Sequence, residues 1–218
     1  MRIAVFGATG RTGRPLVEQA LARDHEVVAF VRDATGLPSS LRDDDGVRVV
    51  EGDAHTGEGV AAAVGGDGVP VDAVVSVLGQ TGDGPDDLLT AAGRHVLAAM
   101  DDHGVDRFVT LVGAAVREDG ESVSLGGKVM EALLGLLARA ALEDAREHVD
   151  LIRASDTRWT VVRAPRLTDG EHTGDLRHGT EFSLGMRDSA TRANVAAFVL
   201  DCLEDDRYVH EMPKVVDA

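Results

Sequence analysis

Apolar residues run along this chain in short unbroken blocks, separated by stretches where they recur at helical spacing. Ile3–Phe6, Val27–Val31, Val47–Glu51, Ala73–Leu78, Arg107–Val112 and Thr160–Arg163 are rich in Val, Ile, Leu and Phe. Blocks of this kind predict strands, and their continuity predicts burial on both faces. A further short strand is expected at Lys214–Val216. The intervening patterns predict helices over Arg14–Asp24, Gly59–Val64, Asp86–His103, Lys128–Ser155 and Arg192–Glu204. Strand and helix alternate, so the expected class is α/β, a doubly wound parallel sheet of right-handed βαβ units. No repeat or linker divides the 218 residues, and a single domain over 1–218 accommodates them. Asp43–Asp45 and Gly65–Gly68 read as surface turns. Thr168–Met186, rich in Gly, Asp, His and Thr, is the long loop. It centres a candidate substrate loop at about 165–190, near the carboxyl ends of the fifth and sixth strands, where ligands of open α/β sheets bind.

The first strand runs straight into Gly7-Ala8-Thr9-Gly10-Arg11-Thr12-Gly13, and a helical pattern follows at once. Three glycines at that spacing are weak evidence alone. Between a strand and a helix they form a dinucleotide-binding fingerprint and make the expected sheet Rossmann-like. Gly7 permits the tight turn, Gly10 lets backbone approach a pyrophosphate, and Gly13 lets the helix pack against the strand. The helix N-terminus offers its amides and dipole to the phosphates.

Composition narrows the partners. Asp and Glu total 38 against 22 Lys and Arg, a net charge of −16. Only Lys128 and Lys214 are lysines, and aromatics make up 3%. Such an acidic surface argues against nucleic acid and against anionic membranes. Hydrophobic content of 44% in periodic segments excludes disorder for most of the chain. The charge is that expected of a halophilic, salt-adapted cytoplasm, where salt screens self-repulsion. Cys202 is the only cysteine, so no internal disulfide forms and a reducing cytoplasm is the expected home. With a strand beginning by residue 3, no signal peptide is expected. No apolar run approaches the roughly 20 residues of a membrane span.

The strand ends supply the cofactor candidates. The second strand ends Val31-Arg32-Asp33. An arginine there suits a 2′-phosphate through charge-assisted hydrogen bonds. Arg11 is a second cation for the same local positive spot. Asp33 could instead hold the ribose hydroxyls of NAD, so NADP is the expected cofactor and NAD the lesser alternative. The third strand leads to Gly52-Asp53-Ala54, where a carboxylate can accept from the adenine amino group. The fourth leads to Leu78-Gly79-Gln80, where a glycine lets backbone approach the nicotinamide side. The expected set is thus Gly7, Thr9, Gly10, Arg11, Thr12, Gly13, Arg32, Asp53, Ala54, Leu78 and Gly79, together with Val112 and Gly113 at the end of the fifth strand.

These residues resemble the atypical branch of the short-chain dehydrogenase/reductase superfamily. The match is to its NAD(P)H-binding, NmrA-like group, which includes biliverdin-IXβ/flavin reductases. The resemblance covers nearly the whole chain. It is strongest at Gly7–Gly13, Val31-Arg32-Asp33, Gly52-Asp53 and Leu151–Leu167, whose Trp159-Thr160 strand and Arg163-Ala164-Pro165-Arg166-Leu167 segment are similar to the group's nicotinamide loop. It implies that Pro165, Arg166 and Leu167 line the cofactor's reactive end and that Arg163 is structural.

The departures are equally informative. Typical members use Tyr-x-x-x-Lys, with the phenol as general acid. Here Tyr208 is the only tyrosine and Met212, not lysine, stands four residues on. Ser124-x-x-x-Lys128 keeps the spacing without the phenol. Gly113 stands near where flavin-reductase relatives carry a serine. No catalytic acid is assigned. His172 and His178 lie in the candidate substrate loop and either could donate a proton, although solvated loop histidines are commoner. The eight histidines show no metal-ligand spacing, and no Gly-x-Ser-x-Gly elbow supports hydrolysis. Leu125–Leu142 is apolar and reads as buried helix, with a substrate-pocket wall or an oligomer face as the alternatives.

The resulting expectation is an NADP(H)-dependent oxidoreductase reducing a flavin, quinone or other conjugated small molecule by hydride transfer. The alternative is a non-catalytic NAD(P)H-sensing regulatory protein of the NmrA type. An epimerase or dehydratase of nucleotide sugars is disfavoured, because those relatives are longer and carry the Tyr–Lys pair.

Overall fold

The structure is a computed structural model and describes residues 1–66, 68–80, 84–118, 139–185 and 187–218. Its strands are β1 (Arg2–Phe6), β2 (Glu26–Val31), β3 (Val47–Glu51), β4 (Ala73–Ser76), β5 (Arg107–Gly113), β6 (Arg158–Ala164), β7 (Arg166–Thr168), β8 (Leu176–Gly179), β9 (Ser189–Thr191) and β10 (Lys214–Asp217). Its described helices are α1 (Gly13–Ala22), α2 (Ser39–Arg42), α3 (Val60–Gly65), α4 (Leu88–His103), α5 (Arg139–Arg153) and α6 (Arg192–Glu204).

Eight strands form one sheet in the order β3-β2-β1-β4-β5-β6-β10-β8, and β7 pairs with β9 separately. All pairs in the large sheet are parallel except β10–β8. β1 lies between β2 and β4, with Ile3 opposite both Val27 and Ala73. The chain steps outward from β1 to β2 and β3, then returns to begin β4 on the other side. That reversal opens a crevice at the carboxyl ends of β1 and β4.

Both faces are covered, as the unbroken apolar strands predicted. Leu16 and Val17 of α1 join Val195 and Val199 of α6 over Ile3, Val5 and Val109. Val60 of α3, Val96 of α4 and Ile152 of α5 pack over Ala4, Phe6, Val74 and Phe108 on the other face. The junction of α4 and α5 is polar. Asp144, 4% exposed, accepts from the backbone amides of Leu89 and Thr90, each at 2.9 Å. A carboxylate from another helix thus caps the first turn of α4 and complements its dipole.

Several boundaries differ from the expectation. β4 ends at Ser76 rather than Leu78, because its neighbour β1 turns away at Gly7. Val77 still donates to Phe6 O at 2.9 Å. β6 begins at Arg158, two residues before the apolar block. Arg158 stands opposite Arg107 in the ladder and bonds Asp206 at 2.8 Å. The helix expected over Lys128–Ser155 is described only as Arg139–Arg153. Residues 128–138, the Ser124/Lys128 spacing and most of Leu125–Leu142 lie outside the described residues. The wholly parallel sheet acquires one antiparallel edge strand, β8, from within the long loop.

Candidate functional site

The crevice edge is built by the glycine turn. Gly7 has φ +91°, and a Cβ on it would lie 3.0 Å from the Val77 carbonyl group. Gly10 N donates to Gly7 O at 2.9 Å, and Arg14 N to Gly10 O at 3.0 Å. A Cβ on Gly13 would overlap Gly7 O and stand 2.8 Å from Ala8 Cα. The turn therefore closes only with glycine at both ends. It delivers the first turn of α1 to the β1/β4 edge. Thr12, buried, is the N-cap without a side-chain cap bond, and no acid occupies that turn. The dipole's positive end meets no local carboxylate from its own helix.

One arginine ties this turn to the next strand end. Arg14 donates from Nε to Thr9 O and from Nη2 to Gly36 O, each at 3.1 Å. A Cβ on Gly36 would stand 3.2 Å from the Thr9 methyl, so the two segments touch. At the end of β2, Arg32 and Asp33 are exposed. The Asp33 carboxylate accepts from Thr35 N at 2.8 Å and from Thr35 Oγ1 at 2.7 Å. These bonds hold its pKa below the usual carboxylate range and keep Oδ1 in the bend. Glu51 accepts from Ala34 N at 2.9 Å and closes the same bend from β3.

The other expected residues line the same sheet edge. Asp53 Oδ1 accepts from His55 N at 2.8 Å, and Ala54 is buried. Leu78 is half-buried and Gly79 exposed. Gln80 Nε2 donates to Asp144 Oδ2 at 2.9 Å and to Asp86 O at 2.6 Å, which anchors the segment after β4. Val112 is buried and Gly113 exposed, and Ala114 N bonds Ala164 O at 2.8 Å to join the ends of β5 and β6. Pro165 and Leu167 are half-buried and Arg166 is exposed. Arg163 is fully buried, with Nε donating to Met212 O at 2.9 Å and Nη1 to Val116 O at 3.3 Å.

Two expected groups point elsewhere. Arg11 Nη1 stands 3.8 Å from Asp169 Oδ2, so part of the expected positive spot is offset by a carboxylate that Arg192 also engages at 2.6 Å. His178 lies in β8, the outermost strand, 2.8 Å from the Tyr208 hydroxyl. Sequence reading missed Arg14, Gln80 and Asp144. It also missed His148, which is 2% exposed and has Nε2 3.1 Å from Thr110 Oγ1. Burial pushes the His148 imidazole down to about 4.

A dinucleotide fits this edge. A Cβ on Gly10 would meet only Gly7 O, at 3.0 Å, and Cβ atoms on Gly79 and Gly113 would meet nothing within 4 Å. Backbone is thus open to close approach along the crevice. Among the described residues, no group of three or more His, Cys, Asp or Glu is placed to hold a metal, and no helix is long and apolar enough to cross a membrane.

Comparison with known proteins agrees with this geometry. A family model described as NAD(P)H-binding matches residues 7–206. The uncharacterized protein YwnB of Bacillus subtilis is 27% identical over 221 residues, covering 99% of this chain and 98% of its own. Among solved structures, a short-chain dehydrogenases/reductase of Veillonella parvula superposes with TM-score 0.80 at 18% identity, covering 99% of this chain and 94% of that one. The anaerobillin reductase ChuY of Escherichia coli O157:H7 does so with TM-score 0.79 at 22% identity, covering 100% and 97%.

Proposed function

The chain belongs to this NAD(P)H-binding family, in keeping with its resemblance to atypical short-chain dehydrogenase/reductases, and from that membership we propose that it is an NADP(H)-dependent reductase of a flavin, a quinone or another conjugated small molecule. The observation that carries the reading is the glycine turn. It brings an uncapped helix N-terminus, with no acid in its first turn, to the point where the strand order reverses. In this reading Gly7, Thr9, Gly10, Thr12 and Gly13 hold the pyrophosphate. Asp53 and Ala54 face the adenine end. Leu78, Gly79, Val112, Gly113, Pro165, Arg166 and Leu167 flank the nicotinamide end. The segment at about 165–190 supplies the substrate side.

NADP is favoured over NAD by the end of β2. Asp33 Oδ1 is held by Thr35, and Arg32 is exposed beside it as the cation a 2′-phosphate needs. Arg11 contributes once the phosphate competes with Asp169. When bound, the dinucleotide supplies the hydride. The chain's own residues bind, orient and position. The only tyrosine, Tyr208, is bonded to His178 on the β8 side rather than placed for carbonyl chemistry. Acceptors needing little acid catalysis therefore fit best, with water delivering the proton and orientation carrying the rate. The neighbour named as an anaerobillin reductase lends the reductase reading support. The missing Tyr-x-x-x-Lys pair also favours a second reading, an NmrA-type sensor that binds NAD(P)H without turnover. The net charge of −16 and the single buried cysteine fit a salt-rich reducing cytoplasm.

The test is Arg32→Ala. It should weaken NADPH by about 1.5–3 kcal/mol, the range of a charged hydrogen bond, and leave NADH nearly unchanged. Equal losses for both cofactors would remove Arg32 as the reader of the 2′-phosphate.

A further inference from the structure

A cavity of about 380 Å³ lies between the end of α1, one flank of α6 and strand β8. It shares no residue with the glycine turn or with the strand ends assigned to the dinucleotide, and it takes His172, Gly174, Leu176 and His178 from the part of the 165–190 segment that runs to the far edge of the sheet at β8. Its size is that of a small-ligand pocket. Leu176 contributes apolar lining, and Phe198, 2% exposed, lies behind His178. The His178 ring stands 4.7 Å from that of Phe198 at 34°, and Tyr208 meets His178 edge-on at 5.8 Å.

The polar lining is biased towards donors. Burial and the nearby Arg207 hold the His178 imidazole below its ordinary range, so it is neutral at pH 7. The Tyr208 hydroxyl stands 2.8 Å from Nδ1; the tautomer in which it donates there carries the ring proton on Nε2, the one a bound carboxylate would select. Asp201 is the one carboxylate of the lining, and Arg23 engages it at 2.8 Å. Asn194 is saturated by Thr173 and Asp217. Arg207 pairs with Asp205 in an exposed contact that holds it weakly. What remains for a ligand is Nε2 of His178, the Arg207 guanidinium and His172.

We propose that this cavity is a second small-molecule site, one that takes a small organic carboxylate. The carboxylate is bound by Arg207 and His178, and the rest of the molecule lies beside Leu176. The test titrates the full chain, with and without saturating NADPH, with benzoate, neutral benzamide and cationic benzylamine by ligand-observed NMR. Benzoate should bind in both states, and the other two about tenfold more weakly. Arg207→Met, at an exposed position, should weaken benzoate about tenfold, and His178→Leu should do the same, with NADPH affinity unchanged. Displacement of benzoate by NADPH, equal binding of the three probes, indifference to both substitutions, or no binding at tens of millimolar would each overturn the proposal. The cofactor-free arm keeps this outcome separate from that of the cofactor reading.

Discussion

Gly10→Ala and Gly13→Ala should separate binding from folding, because the two glycines meet their surroundings differently. A Cβ on Gly13 would overlap Gly7 O and stand 2.8 Å from Ala8 Cα and from the Gly7 carbonyl carbon. These are backbone atoms of the turn itself and cannot swing aside. Gly13→Ala must open the turn, at about 1–3 kcal/mol or more of stability. A Cβ on Gly10 meets only Gly7 O, at 3.0 Å, so a shift of a few tenths of an ångström suffices. Removing a glycine also restricts the unfolded chain, so the net change in folding stability for Gly10→Ala should stay within about 1 kcal/mol. The new methyl projects where the pyrophosphate has to come against backbone. Losing one charge-assisted contact there weakens NADPH by about ten- to hundredfold. Thermal melts and calorimetric titration of both variants provide the assay. A Gly10→Ala protein that binds NADPH as the parent does would refute the fingerprint assignment. A Gly13→Ala protein with an unchanged melt would refute the packing argument.

Arg14→Ala should cost about 1 kcal/mol of NADPH binding by untying the glycine turn from the bend after β2, and unaltered affinity in titration would show that the tie is idle. His148 ionises near its ordinary value of 6.5 in the unfolded chain but only near 4 in the folded one. Its protonation therefore favours unfolding, and as pH falls from 6.5 towards 4 stability should drop by up to about 3 kcal/mol. His148→Gln should flatten that part of the pH–stability curve, and an unaltered curve would remove His148 as its source. With a net charge of −16, melting temperature should rise from low to molar KCl as self-repulsion is screened, and equal or greater stability at low salt would remove the salt-adapted reading.

What the sequence revealed and what it hid follow the range of the interactions. The β1–turn–α1 unit spans residues 2–22 and depends on local packing, so the glycine spacing and the apolar run disclosed it. The central strands were legible because helices on both faces force apolar side chains at every position. β8 was not, because Leu176-Arg177-His178-Gly179 is an edge strand with little to bury. Arg158 at the start of β6 is held by pairing with Arg107 and by Asp206, partners far away in sequence. The same limit hid the Asp144 cap on α4, which crosses more than 50 positions, and the reach of Arg14 to Gly36. Asp33 was legible as an acid at the right place for a ribose. Only the structure shows its Oδ1 engaged by Thr35.

The central claim is most directly tested by calorimetric titration with NADPH and NADH at molar KCl, followed in the same sample by FMN and then a quinone while the nicotinamide absorbance is read. The account predicts that NADPH binds more tightly than NADH and is oxidised when an acceptor is added. Absence of binding, or tight binding without oxidation by any acceptor, would contradict a reductase, and the second outcome would leave the sensor standing in its place.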